Sequence, residues 1–78
     1  MAWLPVTLYY ISACPACRAA KDFLTSHQIP FTAIDVSFRE NMEELRAKRG
    51  TMAEPLLVVG AEQVIGWDRD RVKTLLGI

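Results

Sequence analysis

The sequence predicts an α/β fold with the element order β-α-β-α-β-β-α. Uncharged runs of β-branched and aromatic residues, typical of buried strands, alternate with segments whose apolar residues recur every three or four positions, as in amphipathic helices. A strand, a helix and a further strand in succession predict a parallel crossover unit, and a Gly-containing turn between the last two strands predicts an antiparallel hairpin. With 78 residues, of which 51% are hydrophobic, we expect a single domain over residues 1–78.

The first strand is predicted at residues 6–11, which carry no charge on either alternating face and therefore suit the interior of a sheet. Two aromatic residues in or near this strand, Trp3 and Tyr9, are interpreted as packing residues. The first helix is predicted at residues 15–26, because Pro15 favours the first turn of a helix. Its inner face is expected to follow three- and four-residue steps: Ala16, Ala20, Phe23, Leu24 and His27.

The second strand is predicted at residues 31–36, and Ser37 is expected to cap the helix that follows it. That helix is predicted at residues 39–49. Its few apolar residues, chiefly Met42 and Leu45, lie among many charges, which is typical of a surface helix with one narrow buried stripe. Its basic side chains are expected to be solvated: Arg39, Arg46, Lys48 and Arg49.

The third strand is predicted at residues 56–59 and the fourth at residues 64–65, with a turn at residues 60–63 between them. These two strands are expected to form the antiparallel hairpin. Asp68 then offers an N-cap for the last helix. The inner face of that helix is expected to contain its apolar residues: Val72, Leu75, Leu76 and Ile78.

The charge balance excludes some classes of function. Nine basic and nine acidic side chains cancel, so no overall field attracts nucleic acid or an anionic membrane. No run approaches the roughly 20 apolar residues that a membrane span requires. The N-terminal segment lacks the Lys or Arg that opens an export signal and contains Pro5. We therefore expect a cytoplasmic protein, in which paired cysteines tend to be catalytic or metal-binding.

The two cysteines of the chain, Cys14 and Cys17, have the spacing of a redox-active pair. At the start of a helix, the Cys14 sulfur faces free backbone N–H groups and the positive end of the dipole, which favour the thiolate. A helix end supplies only about 0.3–1 kcal/mol. We therefore also expect hydrogen bonds to the sulfur from the N–H groups of Cys17 and Ala16, with lesser help from Arg18 and Lys21. Cys14 is predicted to attack a substrate disulfide, and Cys17 to resolve the mixed disulfide.

Two other interpretations of the cysteine pair, a zinc site and a structural disulfide, have less support from the sequence. A structural zinc site normally needs four Cys or His ligands, whereas this chain has only Cys14, Cys17 and His27, so no metal is expected within one chain. A purely structural disulfide across so short a loop would remove little entropy from the unfolded chain. A metal cluster shared by two chains escapes the ligand count and stays open.

Four sequence features, each weak alone, are specific together: Leu8-Tyr9-Tyr10; Cys14-Pro15-Ala16-Cys17 with Ala20-Lys21 and Leu24; Thr51 with Pro55; and Gly66-Trp67-Asp68. On these features the chain resembles the glutaredoxin family over nearly its whole length, in the branch that also contains the small redoxins serving ribonucleotide reductase. The resemblance implies a thioredoxin fold with a mixed four-stranded sheet and three helices. It also implies a thiol-disulfide oxidoreductase that reduces protein or glutathione mixed disulfides.

The resemblance further implies a binding site beside the cysteines. Pro55 is expected to be a cis-proline, and the backbone before it, at Glu54, to pair with a bound peptide or glutathione like an added strand. Trp67 and Asp68 are expected to hold the γ-glutamyl end of glutathione. From the residues alone, Pro55 only starts a strand and Asp68 only caps a helix. No bound cofactor is expected, and glutathione would be a co-substrate.

Departures from the family pattern leave the reductant open. Ile11 stands where glutathione-using members commonly have lysine, and Ala16 where they often have tyrosine. Glu54 would either repel a glutathione carboxylate or be an ordinary solvated charge. The electron donor is therefore glutathione or thioredoxin reductase. The expected partners are disulfide-containing proteins, with ribonucleotide reductase as one candidate, and the expected state is a monomer.

Two alternatives from other functional classes also stay open. In the first, two chains hold an iron-sulfur cluster through Cys14 together with glutathione, although the proline after Cys14 argues against it. In the second, the protein is a non-catalytic adaptor with a thioredoxin fold, which the intact cysteine pair disfavours.

Overall fold

A computed structural model gives the structure of residues 4–78. The predicted packing role of Trp3 lies outside these residues. The described residues form four strands and three helices in the predicted order: β1 (Val6–Tyr10), α1 (Pro15–Ser26), β2 (Thr32–Asp35), α2 (Arg39–Arg49), β3 (Leu56–Val59), β4 (Glu62–Ile65) and α3 (Arg69–Leu76). No helix in this part of the chain is long and apolar enough to cross a bilayer.

The four strands form one mixed sheet in the order β2-β1-β3-β4. β1 is parallel to β2 and antiparallel to β3, and β3 is antiparallel to β4. This sheet, with α1 and α3 on one face and α2 on the other, is the arrangement of the thioredoxin fold. The predicted fold class is therefore confirmed.

Each face of the sheet carries its own hydrophobic core. The core beneath α1 and α3 contains Val6, Leu8, Ala20, Phe23, Leu24, Ile29, Leu57, Val59, Val64 and Val72. The core beneath α2 contains Tyr9, Val36, Leu45, Leu56 and Val58. Because β3 contributes to both cores, all four of its residues are buried. The two cores hold β1 and β3 side by side and so fix the end of β1 from which the cysteine motif leaves the sheet.

The bounds of α1, α2 and β3 match the prediction, whereas four strand ends differ. β1 ends at Tyr10, one residue early. β2 begins one residue late, at Thr32, and ends one residue early, at Asp35. β4 begins two residues early, because Glu62 pairs with Val59 and leaves only Gly60 and Ala61 in the turn. Gly60 has a φ of 60°, which favours glycine at that position.

The N-cap of α2 is Phe38 rather than Ser37, so the predicted capping role of Ser37 is wrong. Phe38 makes no side-chain capping bond. Ser37 instead donates from its hydroxyl and its backbone N–H to the Asp35 carboxylate, at 2.6 and 2.9 Å. The Ser37 hydroxyl is therefore hydrogen-bonded to the carboxylate of Asp35, two residues earlier, and does not cap the helix.

Three further predictions about helix residues are also wrong. His27 ends α1 as its C-cap residue, directly after the predicted last helical residue, but its side chain is exposed rather than on the predicted inner face. Ile78 lies beyond α3 and is 43% exposed, since Gly77 ends that helix with a φ of 73°. Arg49 is half-buried rather than solvated, because its Nε donates to the hydroxyl of the buried Tyr9 at 3.3 Å.

Candidate active site

The two cysteines lie where β1 passes into α1. Cys14 is the N-cap residue of α1, with the extended backbone angles φ −127° and ψ 109°, and Pro15 occupies the first helical position. The Cys14 carbonyl accepts the first helical hydrogen bond, from the Arg18 N–H at 3.0 Å. Cys14 therefore presents its side chain to the free N–H groups of the first turn, as the sequence predicted.

One of the predicted hydrogen bonds to the Cys14 sulfur is present. The Cys17 backbone N–H donates to Cys14 Sγ at 3.1 Å. The second expected donor, the Ala16 N–H, makes no such bond within the part of the chain that the structure describes. The sulfur of Cys14 thus occupies the place that a Ser or Asp oxygen takes in an ordinary N-cap, where an anion is favoured.

Cys14 and Cys17 are both free thiols, but their environments differ. Cys14 is half-exposed, whereas Cys17 is only 2% exposed in the first turn of α1. Burial raises the pKa of Cys17 to about 11; a hydrogen bond to Cys14 and the charges of Cys14 and Glu54 act in the same direction, while the Ile11 backbone lowers it. Cys17 therefore keeps its proton at neutral pH.

The segment that faces the cysteines is the start of β3. Pairing of Leu56 with Tyr9 places the preceding Glu54 and Pro55 next to the end of β1. The Glu54–Pro55 peptide bond is cis, as the family resemblance implied, and Pro55 is buried while Glu54 is half-buried. The negative charge of Glu54 adds a small contribution that raises the pKa of Cys17.

The residues at the start of α3 adjoin this segment. The Gly66 N–H donates to the Pro55 carbonyl at 2.9 Å, which ties the turn before α3 to the proline. Asp68 Oδ1 accepts from the Arg71 N–H at 3.1 Å, so its predicted capping role is confirmed. Trp67 is half-buried, with its ring 5.3 Å from that of Phe23 in α1. The segments that contain the four predicted binding residues thus meet on one side of the cysteines.

A cavity of about 430 Å³ lies on the other side, between α1 and the ends of β1 and β2, and Cys17, Arg18 and Lys21 are part of its wall. Lys21 Nζ lies 4.0 Å from the ring centroid of Tyr10, and Arg18 is exposed. No role at the site was predicted from the sequence for Tyr10 or Asp35, which also line this cavity. Their juxtaposition follows from the parallel pairing of the two residues, which periodicity does not reveal.

The structure shows no candidate metal site among the residues that it describes. Residues 4–78 contain no group of three or more His, Cys, Asp or Glu side chains that is arranged to hold a metal ion.

Comparison with known proteins gives results that agree with this geometry. Residues 6–64 match a family model described as glutaredoxin. Glutaredoxin-2 of Schizosaccharomyces pombe is 40% identical over 43 residues, which cover 55% of this chain and 39% of that protein. The matched region thus spans well under half of the curated relative.

Solved structures extend the likeness to most of the chain. A glutaredoxin (grx-1) from Archaeoglobus fulgidus has a TM-score of 0.78 at 26% identity, over 92% of this chain and 85% of that one. A thioredoxin-like protein has a TM-score of 0.83 at 24% identity, over 91% of this chain and 99% of that one. The second likeness concerns the fold alone.

Proposed function

The chain belongs to the glutaredoxin family of thiol oxidoreductases, and we propose that it reduces protein or glutathione mixed disulfides by a dithiol mechanism. In this proposal Cys14 is the nucleophile and Cys17 the resolving cysteine. The observation that carries it is the contrast between the half-exposed Cys14 sulfur, which accepts the Cys17 N–H, and the buried, protonated Cys17 thiol.

The first step is attack by the Cys14 thiolate on one sulfur of a substrate disulfide. A new S–S bond joins Cys14 to that sulfur, the substrate S–S bond breaks, and the second substrate sulfur leaves as a thiolate that takes up a proton. Donation from the Cys17 N–H to the Cys14 sulfur supports this step, because it stabilises the attacking anion.

The second step is attack by Cys17 on the Cys14 sulfur. The Cys17 thiol loses its proton, an S–S bond forms between the two cysteines, and the substrate sulfur leaves and is protonated. The substrate thus gains the two electrons that the cysteine pair loses. The negative charge of Cys14 helps to hold the proton on Cys17, and formation of the mixed disulfide removes this charge. Cys17 therefore becomes easier to deprotonate after the first step, which suits a resolving role.

The substrate is proposed to bind between the start of β3 and the start of α3. The backbone at Glu54 and Pro55 would pair with a peptide or glutathione, and Trp67 and Asp68 would hold the γ-glutamyl end of glutathione. The Gly66-to-Pro55 hydrogen bond supports this assignment, because it joins the two segments beside the cysteines. The exposed Arg18 and the nearby Lys21 would add positive charge near the departing thiolate, while Pro15 and Ala16 shape the first turn.

The oxidised pair must be reduced again by an external donor. Two molecules of glutathione would supply two electrons and become glutathione disulfide, whereas thioredoxin reductase would supply them from NADPH. Ile11 and Ala16 lack the side chains that glutathione-using members commonly have, so both donors stay in the proposal. The reaction requires a compartment that keeps thiols reduced, which the cytoplasm provides. Disulfide-containing proteins, with ribonucleotide reductase as a candidate, are the proposed substrates of the monomer.

The test is an NADPH-coupled turnover assay run in parallel with glutathione plus glutathione reductase and with thioredoxin reductase. The wild-type protein should consume NADPH with at least one donor, and Cys14→Ser should do so with neither. Full activity of Cys14→Ser would overturn the proposal. A coloured, iron-containing dimer after anaerobic purification, inactive in both assays, would support the cluster-holding alternative instead.

A further inference from the structure

A second cavity, of about 450 Å³, lies beside α2 and is separate from the cavity at Cys17. We name it the α2 groove. Its apolar wall consists of Val36, Met42 and Met52, and its charged wall consists of Arg39, Glu43 and Arg46. Met52 is 51% exposed, although it is an apolar side chain. The groove therefore offers adaptable apolar surface next to charge, and methionine side chains fit varied apolar partners.

Two residues of the α2 groove, Met52 and Val36, are close along the chain or by a hydrogen bond to segments of the proposed active site. Met52 precedes Pro55 by three residues, which span at most about 10 Å even when fully extended. The Val36 N–H donates to the Tyr10 carbonyl at 2.9 Å, where β1 leaves the sheet toward Cys14. A chain bound at the cysteines would thus reach the groove within a few residues.

The groove also carries a positive charge without an internal partner. Arg39 Nε pairs with Glu43 at 3.4 Å, one turn along the exposed face of α2. The Arg46 side chain makes no ion pair or hydrogen bond with any of residues 4–78, and it is exposed. Arg46 is therefore available to an acidic group on a bound molecule.

We propose that the α2 groove binds an extended segment of a protein substrate, with an apolar side chain against Met42 and Met52 and an acidic side chain at Arg46. This inference rests on the proposed function, because it places the segment within a few residues of the substrate cysteine that Cys14 attacks. The apolar wall favours a peptide over glutathione alone, because glutathione has no apolar side chain for Met42 and Met52 to contact.

The test compares synthetic peptides that carry one cysteine as a mixed disulfide with 2-mercaptoethanol. One pair of peptides has leucine and aspartate three and four residues after the cysteine, and a second pair has them before it. In each pair the aspartate is replaced by lysine in the matched peptide. The wild-type protein should show a KM at least about fivefold lower for the aspartate peptide of one pair, with similar kcat. Equal KM values for the two peptides of both pairs would contradict the proposal.

Four variants test whether this preference for the aspartate peptide arises in the α2 groove. Arg46→Ala should abolish it, Arg46→Glu should reverse it toward the lysine peptide, and Met52→Ser should raise KM for both peptides. Lys48→Ala, on the same helix but outside the groove wall, is the matched control and should keep the wild-type preference. The reversal guards against misfolding as an explanation, since a merely damaged protein would not gain activity on the lysine peptide. Retained aspartate preference in Arg46→Glu would overturn the proposal.

Two further readouts separate this inference from the proposed function and from a rival ligand. Failure of the wild-type protein to reduce bis(2-hydroxyethyl) disulfide with either donor would remove the proposed function itself. Reduction of that compound with no preference among the peptides would remove only the groove proposal. A KM for glutathione that rises in Arg46→Ala, with peptide preference unchanged, would make the groove a glutathione carboxylate site instead and would overturn the peptide assignment.

Discussion

The Cys17 backbone N–H donates a 3.1 Å hydrogen bond to the Cys14 sulfur, while the Cys17 side chain is 2% exposed beneath it. One residue therefore stabilises negative charge on its neighbour through its backbone and keeps a proton on its own sulfur through burial. This asymmetry is the physical basis for assigning different roles to two chemically identical side chains.

The first prediction concerns stability in alkali. The pKa of Cys17 is raised from 9.0 to about 11 in the folded protein, so the folded state holds this proton more tightly than the unfolded chain does. The resulting stabilisation is complete below pH 9 and is lost as the pH rises through 11. Between these pH values, the free energy of unfolding of the reduced protein should fall by up to about 3 kcal/mol more than that of Cys17→Ser. Denaturant unfolding at several pH values measures this difference, and parallel curves for the two proteins would contradict it.

The second prediction concerns Glu54. Its negative charge disfavours a thiolate at Cys17, so Glu54→Gln should lower the pKa of Cys17. The measurement is thiolate absorbance during pH titration in a Cys14→Ser background, where Cys17 is the remaining thiol. Glu62→Gln, which removes an exposed carboxylate on β4, is the control and should leave the titration unchanged. Equal titrations for the Glu54 and Glu62 variants would show that Glu54 does not act on the thiol.

The third prediction separates two roles of Asp68. Loss of the cap in Asp68→Ala should cost about 0.5–2 kcal/mol, whereas Asp68→Asn keeps an oxygen that accepts from Arg71 and should stay near wild-type stability. If the carboxylate also binds glutathione, Asp68→Asn should raise the KM for glutathione without this loss of stability. Thermal unfolding and the glutathione-coupled assay together test both roles. An unchanged KM in Asp68→Asn would restrict Asp68 to the cap.

The fourth prediction concerns the acid titration of Asp35. Hydrogen bonds from the Ser37 hydroxyl and then the Ser37 N–H hold the pKa of Asp35 below 3.8. Ser37→Ala should therefore raise this pKa, while Ser26→Ala, whose hydroxyl bonds within α1, should not. The lowered pKa stabilises the folded state above pH 3.8, and this stabilisation is lost as the pH falls through the lowered pKa, so Ser37→Ala should lose less stability to Asp35 protonation in acid. An NMR titration of Asp35 gives the result directly, and identical midpoints in the two variants would count against the hydrogen bonds as the cause.

The elements that the sequence predicted best have local signals. Both ends of α2 were placed correctly, and α1 begins at Pro15 because proline suits that position. The Cys17-to-Cys14 hydrogen bond was also predictable, since it joins residues three apart across one helix turn. Competition between nearby hydrogen-bond partners is harder to predict. The Ser37 hydroxyl was expected to cap α2, but it donates to the Asp35 carboxylate instead.

Contacts between distant parts of the chain were not predictable from the periodicity of the sequence. Arg49 has the sequence context of a solvated side chain, but a residue 40 positions earlier, Tyr9, accepts its hydrogen bond. The effect of Glu54 on the pKa of Cys17, and the placing of Met42 and Met52 in the wall of one cavity, likewise require the sheet and α2 to be in place. The sequence therefore indicates the cysteine chemistry, but not the interactions that depend on the packing of distant segments.

In the proposed mechanism, Cys14 attacks the substrate disulfide and Cys17 resolves the mixed disulfide. The most direct test is peptide mapping by mass spectrometry after brief exposure of reduced Cys17→Ser and Cys14→Ser to glutathione disulfide at neutral pH. A stable glutathione adduct is expected on Cys14 in Cys17→Ser, and little or no adduct on the buried Cys17 in Cys14→Ser over the same time. An adduct on Cys17 that forms at a rate equal to or greater than that on Cys14 would contradict this mechanism.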